Sequence, residues 1–492
     1  MQSAVDLSGR PIHFIGIGGI GMSALAHILL KRQLPVSGSD LKTSHITQQL
    51  DAEGAQIFWQ QEAANIQQLC QSDAMSSLPQ VICSTAIHED NPEYQAAVQR
   101  GCPIFHRSDV LAALIQEFPQ SIAIAGTHGK TTTSSLVGYL LLETGLDPTI
   151  IVGGEVAAWG GNARTGDSAY LVAEADESDG SLVKFSPHIG VITNIELDHP
   201  DHYSSIEQVV GIFQQFVDHC HTMIVSADCP IIAAQILAQV SDQTDQTLIT
   251  YGLDPDRSAD YTVRMIDYSG QGTAAEVLEH GEYLGQLQLP LLGEHNLSNA
   301  LAAVAIGRLA GLKFSDIANA LSTFAGAKRR FEIYGEAQGI CFVDDYAHHP
   351  SEIQMTLGSA RLHAETAAAQ YSQSRVVAVF QPHRYSRVTT FLSEFSQSFQ
   401  AADMVVVTDI YSAGEPNPGT IDGQQVADAI AAHHPHVTYQ PSLENVVTCL
   451  QTHLQAGDVV LFLGAGNLNQ IIPTVLAHYQ ISAQASPEVV LQ

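Results

Sequence analysis

An α/β fold in three tandem domains is what the sequence predicts, and three observations predict it. Two glycine turns, Gly16–Gly21 and Gly126–Thr133, each follow a short apolar run and open onto a helix-forming stretch, the strand–turn–helix unit of a parallel sheet. Short apolar runs recur down the chain and end in polar clusters, as strands buried on both faces do. At 492 residues the chain exceeds one ordinary core and suggests about three domains. The expected divisions are 1–115, 116–328 and 329–492: a Rossmann-like domain, a P-loop ATPase-like domain and a second Rossmann-like domain.

Composition narrows the functional classes. A formal charge of −31, from 20 Lys+Arg against 51 Asp+Glu, argues against a nucleic-acid or anionic-membrane surface. The few cations then matter individually: Lys130, the cluster Lys328–Arg330, and Arg384 with Arg387. Seven scattered cysteines without a C-x-x-C pair read as reduced thiols, and the expected compartment is the cytoplasm. Ile12–Leu30 is apolar enough to resemble a membrane span, but Gly16, Gly18, Gly19, Gly21, Ser23 and His27 fit a strand, a turn and a helix better. No charged segment or small-residue cleavage site precedes it, so no signal peptide is expected.

In chain order, His13–Ile17 reads as a strand, Gly16–Gly21 as a G-x-G-x-x-G turn, Met22–Arg32 as a helix and Val36–Ser39 as the next strand. Asp40 follows, nineteen residues beyond Gly21, where a ribose-binding carboxylate would sit in a dinucleotide fold. An NAD-linked oxidoreductase is therefore one reading, although the turn admits any diphosphate. Val81–Ser84 and Cys102–Phe105 give further strands, with Ser84-Thr85 and His106-Arg107 at their ends; a solvated loop is the plain alternative for His106-Arg107. The Gln-rich stretch Gln48–Gln71 and the tail after Ile481 read as solvated surface.

Ile122–Ala125 leads into Gly126-Thr127-His128-Gly129-Lys130-Thr131-Thr132-Thr133 and the helix Ser134–Leu142. Gly126 and Gly129 let backbone N–H groups approach phosphate oxygens, Lys130 supplies charge, and the Thr131 hydroxyl suits Mg²⁺, so the stretch speaks for ATP. The usual pattern would place a glycine at position 124, where this chain has Ile. Ala169–Ala173 is a strand ending at Glu174, a carboxylate placed to hold Mg²⁺, although the acidic run after it leaves the choice of acid open. Ile189–Ile195 runs into Asp198-His199-Pro200-Asp201-His202, whose paired D-H steps also admit a metallohydrolase. Asn296, at the start of an Ala-rich helix, is a cap or a reader of a base edge.

In the last third, Ile340–Asp344, Val376–Phe380, Met404–Thr408 and Val459–Leu463 read as strands. Each ends in a polar cluster, as in a doubly wound sheet with its site at the carboxyl edge.

Taken in order, Gly16–Ser23, Gly126–Thr133, Glu174–Gly180, Asn194–Asp201, Gly293–Ala300, Arg329–Glu332, Asp344–Ile353, Gln381–Arg387, Tyr411–Glu415 and Gly464–Asn467 resemble the motifs of the Mur ligases over nearly the whole chain. The resemblance implies ATP-dependent amide synthesis. The lactyl carboxylate of UDP-N-acetylmuramate attacks the γ-phosphate of ATP, and the amine of L-alanine captures the acyl phosphate. It further implies that Gly16, Gly18, Gly19, Gly21, Asp40, Ser84 and Arg107 face the UDP sugar. Gly126, Thr127, His128, Gly129, Lys130, Thr131, Thr132, Asn296 and Arg330 would bind ATP, and Thr131, Glu174 and His199 would hold Mg²⁺. Tyr346, His348, Arg384 and Arg387 would take the amino acid, and Lys130, Glu174, His199, Arg330 and His348 would carry the chemistry. Family members that add later residues carry a modified lysine beyond the D-H pair; here no lysine occurs between Lys184 and Lys313, which fits the alanine-adding branch. The branch that attaches a ready-made tripeptide ranks behind it, because its first glycine turn is less regular. A monomer or weak homodimer is expected.

Overall fold

A computed structural model describes residues 4–71, 77–238, 246–367, 371 and 374–485. The chain divides into two compact units, one taking in 1–196, 207–260 and 302–320, the other 197–206, 261–301 and 321–492.

The first unit opens with strands β1 (Ile12–Ile15), β2 (Val36–Ser39), β3 (Gln56–Phe58), β4 (Gln80–Cys83) and β5 (Ile104–His106), all parallel in the order β3-β2-β1-β4-β5. Strand β1 is central and wholly buried, and the first glycine turn leaves its carboxyl end with Gly16 in the left-handed region at φ +83°. Gly38 lies opposite Phe14, and a Cβ there would come within 2.6 Å of Ile17. Beneath the turn a polar network is enclosed in the core. Glu93, fully buried, sits 2.8 Å from His13 Nε2, accepts from Ser39 Oγ at 2.5 Å and from Asn65 Nδ2 at 2.8 Å, while His13 Nδ1 meets Ser37 Oγ at 2.8 Å. Every polar atom of this set that the fold removes from water meets another, which is the condition for keeping it there.

The Gln-rich stretch is not the solvated surface its composition suggests. It forms the helix His45–Ala52, β3 and the helix Ala63–Gln71, which bury Leu50, Ile66 and Leu69. Its sparse apolar residues recur at helical spacing, so one face packs while the glutamines take the other. Of the tail, residues 482–485 continue the helix Ile472–Ala485, and 486–492 lie outside the described residues.

The unit continues with β6 (Gln120–Ala125), β7 (Thr149–Val156), β8 (Gly161–Arg164), β9 (Tyr170–Glu174), β10 (Ile189–Ile192), β11 (Thr222–Ser226) and β12 (Thr247–Tyr251), ordered β12-β11-β10-β6-β9-β7-β8. All pairs are parallel except the hairpin β7–β8. Because β10, β6 and β9 are parallel neighbours, the segments after their carboxyl ends share one edge: Thr193–Glu196, Gly126–Gly129 and Glu174–Glu177.

The second unit contains the antiparallel meander β13 (Tyr261–Ser269), β14 (Gly272–Glu279) and β15 (Glu282–Leu289). It also contains β16 (Glu332–Ala337), β17 (Ile340–Asp345), β18 (Arg375–Phe380), β19 (Met404–Val407), β20 (Val437–Tyr439) and β21 (Asp458–Leu463), in the order β16-β17-β21-β18-β19-β20. The four strands expected from the sequence are the parallel centre of this sheet; β16 is an antiparallel edge. Alternate residues feed two cores, Val343, Ala378 and Leu461 one face and Phe342, Val379 and Phe462 the other. Among the described residues no helix is long and apolar enough to cross a membrane, and Ile12–Leu30 is strand, turn and the twelve-residue helix Ile20–Lys31.

Candidate functional site

In the first unit the loop after β6 is pinned from beneath by the loop after β10. Gly126 has φ +134°, and a Cβ there would stand 2.0 Å from Thr193 Oγ1, so only glycine fits. Asn194 Oδ1 accepts from His128 N at 2.8 Å, Thr193 Oγ1 donates to His128 O at 2.6 Å, and Thr127 Oγ1 accepts from Glu196 N at 2.9 Å. Gly129, at φ +80°, caps the helix Lys130–Glu143, whose first turn carries no acidic residue and presents its amides at the loop.

Lys130 Nζ donates to the carbonyls of Gly126 and Thr127 at 2.6 and 3.0 Å and to both oxygens of Glu177 at 3.0 and 2.8 Å. Burial works against its charge, but the carboxylates of Glu177, Asp176 and Glu174 outweigh burial and hold the ammonium above the usual lysine range. Thr131 Oγ1 donates to Glu174 Oε1 at 3.1 Å, and Glu174 Oε2 accepts from Gly153 N at 2.7 Å. The hydroxyl and the carboxylate expected to hold a cation are thus in contact, whereas Thr132 is half-buried on the next step of the helix.

At the first glycine turn, Gly19 caps the helix Ile20–Lys31, and Arg107 lies against Gly21, where a Cβ would be 3.3 Å from its Nη1. Arg107 is held there by Asp176 at 3.1 Å and Asp179 at 3.5 Å, so His106-Arg107 is a positioned pair and not a solvated loop. Asp40 has a structural task that the spacing did not show. Its Oδ2 accepts from Gly18 N at 2.8 Å and its Oδ1 from Lys42 N at 3.1 Å, so the carboxylate turns back to shape the turn. Ser84 follows β4, half-buried.

In the second unit Arg387 and Arg384 behave differently. Arg387 is 2 % exposed, donates through Nε to Asp198 Oδ1 at 2.9 Å, and has Nη1 3.2 Å from His383 Nδ1. Its guanidinium is neutralised inside the protein, whereas both arginines were expected to face a ligand carboxylate. Arg384 is more open and meets Asp201 at 2.5 Å and Glu415 at 3.8 Å. His199 Nε2 lies 3.6 Å from Asp198 Oδ2. Arg329 and Arg330 stack over the Tyr346 ring at 4.9 and 5.4 Å, and Glu352, which the sequence reading missed, gathers Arg330 at 3.9 Å, the His348 ring at 3.3 Å and the amides of His348 and His349. Asn296 is the third residue of the helix Glu294–Leu309 and not its cap: Nδ2 donates to Leu292 O at 2.8 Å and Oδ1 accepts from Asn299 at 3.5 Å. His199, Arg329, Phe331, Arg384 and Ala413 all hold left-handed backbone angles without being glycine, a concentration typical of functional segments.

Three imidazoles here are held neutral. Burial, with Arg330, pushes His295 down to about 4; burial, with Arg387, pushes His348 to about 4; burial, with His348, Arg387 and Arg384, pushes His383 to about 2. His348 Nδ1 lies 2.9 Å from the carbonyl of Tyr346, which fixes the proton on Nδ1 and the lone pair on Nε2. An unfolded chain binds these protons near pH 6.5, so their stabilisation is complete above that value and is lost as pH falls toward 4. Asp344, pushed up to about 6 by burial against the pull of Arg329, and Asp345, raised likewise, act in the opposite sense. Glu177, likewise pushed up to about 7 by burial, acts with them. The histidine contribution is therefore read by difference: between pH 7.5 and 5 the melting temperature of His295→Gln should fall less steeply than that of the parent protein, and an equal slope would refute the neutral-histidine assignment.

Comparison with known proteins gives a uniform result. Residues 11–119 match the profile of the Mur ligase family, catalytic domain, residues 124–307 the Mur ligase middle domain, and residues 329–466 the Mur ligase, glutamate ligase domain. The chain is 78% identical over 492 residues to the UDP-N-acetylmuramate–L-alanine ligase of Acaryochloris marina, covering 100% of both, and 60% identical over 496 residues to that of Nostoc punctiforme, covering 99% and 100%. Among solved structures, the UDP-N-acetylmuramate–alanine ligase of Thermotoga maritima aligns with a TM-score of 0.79 at 29% identity, covering 96% of this chain and 99% of that one. A murein peptide ligase of Psychrobacter arcticus shares the fold, with a TM-score of 0.68 at 22% identity over 96% and 99%.

Proposed function

The chain belongs to the Mur ligase family, and on that premise we propose which residues carry its reaction. It is an ATP-dependent ligase that joins L-alanine to the lactyl carboxylate of UDP-N-acetylmuramate in peptidoglycan precursor synthesis. The architecture is three tandem α/β domains, which we divide at 1–115, 116–328 and 329–492.

The single observation that carries the assignment of residues is the Gly126–Thr133 loop, with Lys130 charged and Thr131 against Glu174. Phosphoryl transfer between two anions needs positioning and positive charge more than covalent chemistry. The loop amides and Lys130 bind the ATP phosphates and steady the γ-phosphoryl group while the lactyl carboxylate attacks it and ADP departs. Thr131 and Glu174, a hydroxyl and a carboxylate in contact, are a hard-oxygen pair that suits Mg²⁺. Mg²⁺, when bound there, supplies further positive charge to phosphate oxygens. Arg107, held against the first glycine turn, meets the diphosphate of the UDP sugar, and Asp40 keeps that turn in shape.

In the second unit Arg384 takes the carboxylate of L-alanine, and Arg387, fixed on Asp198, positions His383. The neutral His348 offers Nε2 as an acceptor to the amine, which attacks the acyl phosphate; the tetrahedral intermediate then expels phosphate. Arg330, stacked on Tyr346 and tethered to Glu352, supplies charge for the phosphate oxygens. The setting we assign is the cytoplasm, in keeping with seven free thiols.

Phosphate release from ATP and Mg²⁺ tests the reading. It should require UDP-N-acetylmuramate and an amino acid together, and be fastest with L-alanine; glycine, one methyl smaller, should lag by roughly 10–200-fold in kcat/KM. Release without either acceptor would overturn the assignment.

A further inference from the structure

A cluster of three side chains of metal-ligand type lies on the edge of the second unit's sheet, on residues to which no part in the ligase reaction is assigned. Strands β16 and β17 pair with Glu336 opposite Cys341, so the two side chains leave the same face. Cys341 belongs to the core cluster that also holds Leu357, Ala360 and Ala364 of the helix Pro350–Ala367, and that helix brings His363 to the same place. A carboxylate oxygen of Glu336, the sulfur of Cys341 and an imidazole nitrogen of His363 all lie within 4.8 Å of one another.

We propose that Glu336, Cys341 and His363 form a three-ligand site for a borderline divalent transition cation, Zn²⁺ above all. The donor set decides the class of ion. Sulfur and imidazole nitrogen disfavour Mg²⁺ and Ca²⁺, and one carboxylate with them is a combination zinc accepts in tetrahedral sites that keep a fourth position for water. In such a site the ligand atoms stand within about 4 Å of each other, given metal–ligand bonds of about 2.0–2.3 Å. The required contraction is small and falls to Glu336, whose side chain is exposed and free to swing.

Two features beyond the cluster point the same way. His363 Nδ1 lies 3.1 Å from the carbonyl oxygen of Gly270, which fixes the proton on Nδ1 and directs the Nε2 lone pair elsewhere; a backbone carbonyl in this role is the usual support of a metal-bound histidine. The exposure of Glu336 on an edge strand also gives an ion a way in, while Cys341 at 7 % exposure gives it a dry floor. Binding replaces the S–H bond of Cys341 by a sulfur–metal bond and releases that proton to solvent. Because that proton leaves on binding, uptake strengthens as pH rises.

The test uses full-length protein stripped with a chelator and titrated with Co²⁺ as a spectroscopic stand-in for Zn²⁺. One equivalent should produce a thiolate-to-cobalt charge-transfer band, which Zn²⁺ then bleaches. Glu336→Gln, an exposed change that leaves ligase turnover with ATP and Mg²⁺ intact, should weaken Co²⁺ and Zn²⁺ binding by about 100-fold or more, above the roughly 10–100-fold cost of losing a group that only supports a ligand, as should His363→Gln. Cys341→Ser, nearly isosteric, should remove the band while its melting profile stays cooperative. No thiolate band in the parent protein, or an unchanged band in Cys341→Ser, would overturn the proposal.

Discussion

Lys130→Ala is expected to lower phosphate release by about 10³-fold or more, the scale of losing one cation from a phosphoryl-transfer site, while calorimetry should still show UDP-N-acetylmuramate binding. The surroundings of Lys130 complicate the interpretation. Glu177 is 2 % exposed and holds the ammonium through both oxygens, so the substitution leaves a buried carboxylate without its partner, at a cost of about 3–5 kcal/mol. Burial pushes that carboxyl up to about 7 against the pull of Lys130, and losing Lys130 pushes it higher still. The double variant Lys130→Ala/Glu177→Gln removes the stranded charge. It should recover most of the melting temperature and none of the turnover. Recovery of both would make Lys130 a structural cation, and loss of sugar binding in the single variant would mean that the two nucleotide sites have been assigned to the wrong turns.

Arg387→Ala is expected to lower the melting temperature by on the order of 10 °C, because Asp198 then remains ionised in the interior with its counter-ion gone. Arg387 and His199 are among the groups that hold the Asp198 carboxyl well below the usual range against burial, so the charge is not readily given up. Arg384→Ala should behave in the opposite way. Arg384 is a third exposed, so stability shifts by no more than about 0.5 kcal/mol, while KM for L-alanine rises about tenfold or more and KM for ATP does not change. An unchanged KM for L-alanine would end the case for a carboxylate clamp at this position.

These two arginines show where sequence reading stopped. Their spacing on one short segment suggested a shared task, but what separates them is a partner 189 residues away for one and 183 for the other, and no local pattern encodes such pairings. Glu177 was hidden in the same way, as one acid in a run of several. The bond from Gly18 N to Asp40 could not be read from the spacing, which pointed only to a ribose. The parallel strands were legible because they are buried on both faces and therefore nearly all apolar. Strands β13–β15 went unread although Gly270, Gly272 and Gly281 mark their turns, since each strand has one open face and a mixed composition. The loop at Gly126–Thr133 was fully legible: its chemistry is local, and the departure at Ile124 is accommodated by a fully buried strand residue.

The order β3-β2-β1-β4-β5 also sets a timetable for the growing chain. The first strand to leave the ribosome is the one that ends in the middle, and one flank of Ile12–Ile15 has no neighbour until β4 arrives. Sixty-eight residues separate Ile15 from Cys83. At roughly 5–20 residues per second, this flank stays open for about 3–14 s during synthesis. Glu93 comes ten residues later still and collects His13, Ser39 and Asn65, so the network under the glycine turn closes only after β4 has arrived. In this sheet, birth order and burial order run in opposite directions, and the interval between them is when the nascent strand is open to wrong partners.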